Sequence, residues 1–465
     1  MTLNKKIIIV LSVILFLFLS LSVYLTYFGV MEAPKLEKSV YNQRLYQKEE
    51  KIKRGTIYDR EGTVLAESKM TDEGQKRVYP YGKTYTHVIG YISKTYGKSK
   101  IELEYNDYLT GSNEIGQAMN LATTLSGKEK SGFDMTLTID NKLQQYAYDI
   151  MGGKNGSIIV MDNKTGAIRA MASNPTFDPS AESLLKNWEE LAESDDAPFV
   201  ARAISGLYAP GSTWKMITAS AAIEAGLSDK EYDDEGKAVI GGREYENSGG
   251  KAYGKVDLKG AFLHSSNVVF AEIGTEMGKD ALSIYERFLL GDDIKFDIPL
   301  SVSTLSDKIY AMSTADVAST SIGQGRLMVT PLYMTMVGSV FANGGTMVKP
   351  YLVESIDKGN VNAYKAKRKV LAEPVSAYVA GEVKDMMASC VGEGTGGQAN
   401  VSGLKVYGKT GTAQNETEKS HDWFVGFAEN DEGESVTVCV MFEYNGQGSS
   451  VSARCAGKIF SYWLK

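Results

Sequence analysis

The sequence predicts an α+β (mixed α/β) main domain: one antiparallel five-stranded sheet flanked by helices, with a helix-rich subdomain. A small N-terminal domain and a single membrane-spanning helix precede it. Three observations carry this. An unbroken apolar run covers Ile7–Val30. Two β-like runs, Ser157–Met161 and Ala167–Met171, precede a helical middle and three further β-like runs at 404–407, 423–427 and 436–444. The sheet is therefore completed from both ends of its domain. Before it, Ile57 and Val64-Leu65 flank an Asp-Arg-Glu-Gly turn, which reads as a hairpin.

The apolar run is long enough to cross a hydrocarbon core of about 30 Å. Lys5 and Lys6 precede it, whereas Glu32, Lys35, Glu37 and Lys38 mix charges after it. The positive-inside rule places the first residues in the cytoplasm and everything after Val30 outside the cell membrane. The run is too long for a cleaved signal peptide, and no small-x-small site follows it. Residues 1–30 are thus expected to be a cytoplasmic tip and single-pass anchor. Pro34–Lys53 reads as a stalk or charged helix. Residues 31–131 form the small N-terminal pedestal, with a helix near Ile101–Leu109, and 132–465 the main domain. Within the latter, Met135–Ile139 reads as a strand, Asn141–Met151 as a helix and Asp162–Gly166 as a turn.

The 465 residues carry a formal net charge of −7 and no basic stripe, which excludes a nucleic-acid partner. Three cysteines, Cys390, Cys439 and Cys455, are too few for a disulfide framework, and Cys439 reads as a buried structural thiol. Only three histidines occur, without zinc-ligand spacing, so no metal is expected. No Gly-x-Ser-x-Gly elbow, phosphate loop or dinucleotide fingerprint is present, and no cofactor is expected. A serine acyltransferase here needs a base other than histidine.

A lysine serves if it is held neutral, and a Ser at i with a Lys at i+3 shares one helix face. That spacing occurs at Ser183, Ser212, Ser248, Ser355 and Ser402. Only Ser212-Thr-Trp-Lys215 follows a Tyr-Ala-Pro-Gly turn and opens an apolar helix, Thr213–Ala225, ended by Gly226. A nucleophile at a buried helix start gains from free N–H groups and the helix dipole. Next, Ser265-Ser-Asn267 separates two helical runs: Ser265 could pass a proton and Asn267 hold a substrate amide, or the segment is a plain N-cap. Finally, Lys409-Thr-Gly-Thr412 follows a short strand. Gly411 lets a ligand backbone lie close, and Lys409, Thr410 and Thr412 could bind a carboxylate; otherwise it is an ordinary strand-to-turn passage.

Together, in this order, the trio is the signature of β-lactamases and penicillin-binding proteins. The chain after the anchor resembles class B penicillin-binding proteins, of the short-pedestal type. The resemblance also rests on Arg54-Gly55, Asp59-Arg60-x-Gly62 and Leu65-Ala66, and on Gly323-Gln-Gly325 with Thr330-Pro331. Gly394-Thr-Gly396 and Trp423-Phe-Val-Gly426 complete it. Glu429 departs from the proline many relatives carry there.

The resemblance implies a serine β-lactamase/transpeptidase-like fold and a peptidoglycan D,D-transpeptidase acylated by β-lactams, with Ser212 the nucleophile, Lys215 the general base and Ser265 the proton relay. Burial and the nearby Lys409 charge would keep Lys215 neutral. Asn267 would hold the donor stem peptide, Thr410 and Thr412 its carboxylate, and the Ser212 and Thr412 N–H groups the oxyanion. Having no room for a glycosyltransferase, the chain is expected to work with a SEDS-family glycosyltransferase. The rival readings are a D,D-carboxypeptidase or β-lactamase-type hydrolase, and a non-catalytic β-lactam sensor or divisome scaffold.

Overall fold

A five-stranded antiparallel sheet organises the larger part of the chain. In the computed structural model, residues 3–32, 49–71, 74–127, 129–279, 282–305, 311–414, 419–446 and 448–465 are described. The helix α1 (Asn141–Ile150) leads into strands β1 (Gly156–Asp162) and β2 (Ile168–Asn174). Helices α2 (Lys215–Glu224), α3 (Leu258–His264), α4 (Asn267–Met277), α5 (Pro331–Ala342) and α6 (Ala377–Gly392) follow. The chain then returns as β3 (Lys405–Ala413), β4 (His421–Glu429) and β5 (Ser435–Phe442), and ends with α7 (Ser450–Leu464). The sheet order is β3-β4-β5-β1-β2, so the last three strands complete a sheet begun by the first two. The β1–β2 turn forms because Asp162 Oδ1 accepts from the N–H (2.9 Å) and hydroxyl (2.8 Å) of Thr165.

Strand β4 is buried on both faces, and its side chains divide with period two. Trp423, Val425 and Phe427 join the core around α2 and α5, while Phe424 and Ala428 join that of α1 and α7. Helix α5 is buried from Pro331 to Phe341, which its continuous apolar sequence requires. Its start is set by Thr330, whose hydroxyl accepts from Tyr333 N at 3.2 Å, with proline in the first turn. Cys439 lies fully buried in β5, and burial pushes its thiol pKa up. Glu429 ends β4 opposite Lys405 and accepts a 2.8 Å bond from Lys384.

The hairpin expected around residues 57–66 forms: Ile57–Tyr58 pairs antiparallel with Val64–Thr71. Asp59 ties its turn by accepting from Glu61 N (2.9 Å) and Thr63 N (2.6 Å), and also takes Asn141 N at 3.1 Å. The strand expected at 135–139 is Asp134–Leu137, and it lies in a second sheet. That sheet has six strands, in the order 361–365, 353–358, 134–137, 57–58, 64–71 and 74–78. Segments distant in sequence therefore share one hydrogen-bonded surface. Beside it, Arg54 and Arg77 converge on the fully buried Glu102, at 2.6 and 2.7 Å. Burial alone would raise the Glu102 carboxyl pKa, but the two guanidinium groups outweigh it and hold it below the usual range.

The N-terminal helix, Leu3–Tyr27, continues into one wider turn, Phe28–Glu32. Over Asn4–Glu32 it is long and apolar enough to cross a membrane, and its window is unburied. Most of the stalk expected at 34–53 lies outside the described residues.

Removing the buried acid strands two arginines. Glu102→Ala is expected to cost about 3–5 kcal/mol of stability, read as a lowered urea midpoint.

Candidate active site

The chain between Tyr208 and Lys215 is pinned before it reaches the sheet. Tyr208 and Val329 exchange backbone bonds (3.0 and 2.9 Å), and Gly211 N donates to Gly323 O at 2.9 Å. The Tyr208 hydroxyl donates to Glu443 (2.5 Å), which also accepts from Arg202 at 2.7 Å. Residues Gly211–Trp214 form a 3₁₀ turn, and the α-helix proper begins at Lys215. The expected helix start at Thr213 is thus tightened: Lys215 N donates back to Ser212 O and Thr213 O. Gly211, at φ +54°, sits where a side chain would strike Thr412 O at 2.7 Å. A side chain at Gly411 would strike Thr213 and Pro210 O at 2.9–3.0 Å. The two glycines let the edge strand β3 lie directly on the turn that carries Ser212.

Lys215 is fully buried. Its Nζ donates to Ser265 O at 2.7 Å and Asn267 Oδ1 at 2.8 Å, and lies 3.4 Å from Ser265 Oγ. Ser265 adopts a left-handed conformation (φ 59°, ψ 38°) at the end of α3, uncommon for a side-chain-bearing residue and concentrated at functional sites. Ser266, not Ser265, is the N-cap of α4: its buried hydroxyl accepts from Val269 N at 3.1 Å. The capping and chemical readings of the Ser-Ser-Asn segment thus fall on different residues of it.

Lys409 is also fully buried, with Nζ 5.5 Å from the Phe262 ring and 3.3 Å from Thr410 O. Thr410 is buried and its hydroxyl is 2.6 Å from that of Thr395, in the Gly-Thr-Gly segment. Gly411 is buried, whereas Thr412 is exposed. Ser212, Ser265 and Asn267 are partly exposed. All eight residues singled out from the sequence thus fall around one place, three half-open polar groups and an exposed threonine above two buried amines. Of the other Ser-x-x-Lys serines, Ser183 lies in the helix Ala181–Glu193 and Ser355 in the strand Val353–Lys358.

Burial, then the charge of Lys409, drives the Lys215 pKa well below the ordinary 10.5, with Asp234 opposing. Burial lowers Lys409 as well. Sequence reading passed over Asp234 and Asn247, which support the 265–267 turn from a loop with no motif of its own.

A family model described as the penicillin binding protein transpeptidase domain matches residues 156–461, and one described as the penicillin binding protein A dimerisation domain matches 54–135. The chain is 31% identical over 445 residues to the peptidoglycan D,D-transpeptidase PbpA of Mycobacterium tuberculosis, covering 89% of this chain and 88% of that one. Penicillin-binding protein A of M. tuberculosis, solved as its imipenem acyl-enzyme complex, superposes with a TM-score of 0.83 at 29% identity, over 90% of this chain and all of that one. A D,D-transpeptidase domain from Eggerthella lenta gives 0.80 at 34% identity, over 89% and 100%.

Lys409→Met removes the nearer positive charge. Lys215 then titrates closer to 10.5 than in the wild type, a rise that NMR of isotopically labelled lysine measures.

Proposed function

The chain belongs to the penicillin-binding protein transpeptidase family, and on that premise we propose that it is a peptidoglycan D,D-transpeptidase acting through a Ser212 acyl-enzyme. The observation that carries the assignment of roles is the bonding of Lys215. A neutral amine has two N–H groups and one lone pair. Ser265 O and Asn267 Oδ1, at 2.7 and 2.8 Å, accept the two N–H groups. The lone pair remains, with Ser265 Oγ 3.4 Å from Nζ, and in this reading it takes its proton from Ser212, one helical turn away.

In this reading Ser212 Oγ attacks the penultimate D-Ala carbonyl of a donor stem peptide as Lys215 takes its proton. The C–N bond breaks, and Ser265 delivers a proton to the departing D-Ala amine. An amine of a neighbouring stem then attacks the ester, which forms the cross-link and frees Ser212. The Ser212 and Thr412 N–H groups hold the oxyanion, a contribution worth about 3–4 kcal/mol per donor in other acyl-transfer enzymes. Lys409 and the exposed Thr412 hydroxyl face the donor carboxylate, Thr410 backs them through Thr395, and Asn267 orients the stem peptide. A β-lactam presents the same carbonyl and carboxylate and acylates the same oxygen.

The N-terminal helix is the single membrane anchor. With Lys5 and Lys6 in the cytoplasm, the catalytic domain stands at the outer face, beside the stem peptides it joins. A SEDS-family glycosyltransferase is the partner this arrangement fits.

Fluorescent penicillin tests the reading. Wild-type protein takes a long-lived covalent label and Ser212→Ala takes none; labelling of the variant, or rapid turnover of the drug by the wild type, overturns it. Lys215 must be unprotonated to act, so acylation falls as pH drops through its depressed pKa. The acid limb of the rate profile lies well below 10.5.

A further inference from the structure

Asp234 and Asn247 take no part in the chemistry above, yet they hold the segment that carries Asn267 and follows Ser265, the two residues Lys215 donates to. Asp234 ends the short strand Tyr232–Asp234, which pairs with Gly254–Val256, and Asn247 follows the strand Arg243–Glu246. Both are buried, at 0% and 3% exposure. Asn247 uses its whole side chain. Its Oδ1 accepts from Asn267 N (2.8 Å), Val268 N (3.2 Å) and Ser266 Oγ (3.2 Å), donors at the start of α4 that the helix itself leaves unpaired. Its Nδ2 donates to both Asp234 oxygens, at 2.7 and 2.9 Å, and to Lys251 O at 2.9 Å. The adjoining Glu246 O takes the Asn267 side-chain amide at 2.9 Å, which leaves Asn267 Oδ1 turned to Lys215.

The Asp234 carboxylate accepts otherwise from Gly236 N at 2.9 Å and forms no ion pair among the described residues. A buried carboxylate held by uncharged partners costs several kcal/mol in desolvation. What it does here is fix a direction. An amide rotated by half a turn would set its oxygen against the carboxylate and its NH₂ against three donors. The carboxylate on one side and the three donors on the other select the same orientation of Asn247.

We propose that Asp234 and Asn247 are positioning residues for acyl transfer: Asn247 bolts the 265–267 turn in place beneath the Lys215 amine, and Asp234 locks the Asn247 amide in the orientation that does so. This rests on the acyl-enzyme reading of Ser212. A change of Asp234 to asparagine keeps the shape but can pair with either orientation of the Asn247 amide, so it removes the carboxylate's share of the lock and leaves that of the α4 donors and Lys251 O, without emptying the site. The variants D234N, N247A and N247D, and the double variant D234N/N247D, therefore separate positioning from folding. In the double variant the amide and the carboxylate trade places, and the three donors of α4 still meet an acceptor.

The experiment follows penicillin acylation of the detergent-solubilised full chain, with thermal unfolding alongside. In D234N the rate constant at saturating penicillin is expected to fall about tenfold, with the initial binding constant little changed and the melting temperature within a few degrees of wild type. N247A and N247D fall further, about a hundredfold, and D234N/N247D recovers most of what N247D loses. Folded D234N and N247A that acylate at the wild-type rate overturn the proposal, as does a double variant no faster than N247D. A rate that falls only in step with the folded fraction overturns it too. A wild type that takes no label overturns this proposal together with the reading beneath it, whereas a labelled wild type with unaffected variants overturns this one alone.

Discussion

Two lysine amines buried in one place are the constraint on which the rest of the molecule depends. Lys215 and Lys409 are both fully buried, and two full positive charges near each other would repel strongly in that medium. Burial and the charge of Lys409 ease the difficulty by driving the Lys215 pKa well below 10.5, toward the uncharged amine. The surrounding structure keeps that solution stable: the 3₁₀ turn and its glycines bring the edge strand against the nucleophile, and the left-handed Ser265 offers its carbonyl to the amine. In the proposed mechanism the reactivity of the serine is thus a by-product of how the two cations are accommodated.

Much of this was legible in the sequence because the chemistry is local there. Ser212 and Lys215 share a helical turn, Ser265 and Asn267 a single bend, and Lys409 to Thr412 one strand. Spacing alone therefore fixes their relations within each segment. The glycine after α2 was readable for the same reason. The convergence of the three segments followed only from their known association. The contacts that enforce it run from the Tyr208–Val329 bridge to the close approach of Gly411 and Thr213.

What escaped reading lies where sequence pattern carries no period. Residues 230–256 look like a connection in a helical region, with glycines at 236, 241, 242, 249, 250 and 254. They fold into two small strand pairs, 232–234 with 254–256 and 237–240 with 243–246. Their role is to carry Asp234 and Asn247 to a turn 20 and more residues away, and no local signal announces such a pairing. The strand at 134–137 was foreseen as a strand but not as a member of the second sheet, because pairing partners 78 and about 220 residues distant leave no trace in composition.

That second sheet has a mechanical consequence. The tether enters the folded chain near Glu49, and within a few residues Arg54 is clamped to Glu102 and Ile57 is laced beside Met135. A pull on the membrane end is therefore taken up by a ladder that also includes residues 353–365, far along the polypeptide. Tension from the membrane side would therefore be shared with segments far along the polypeptide, while Lys409 to Thr412 lie on the other sheet.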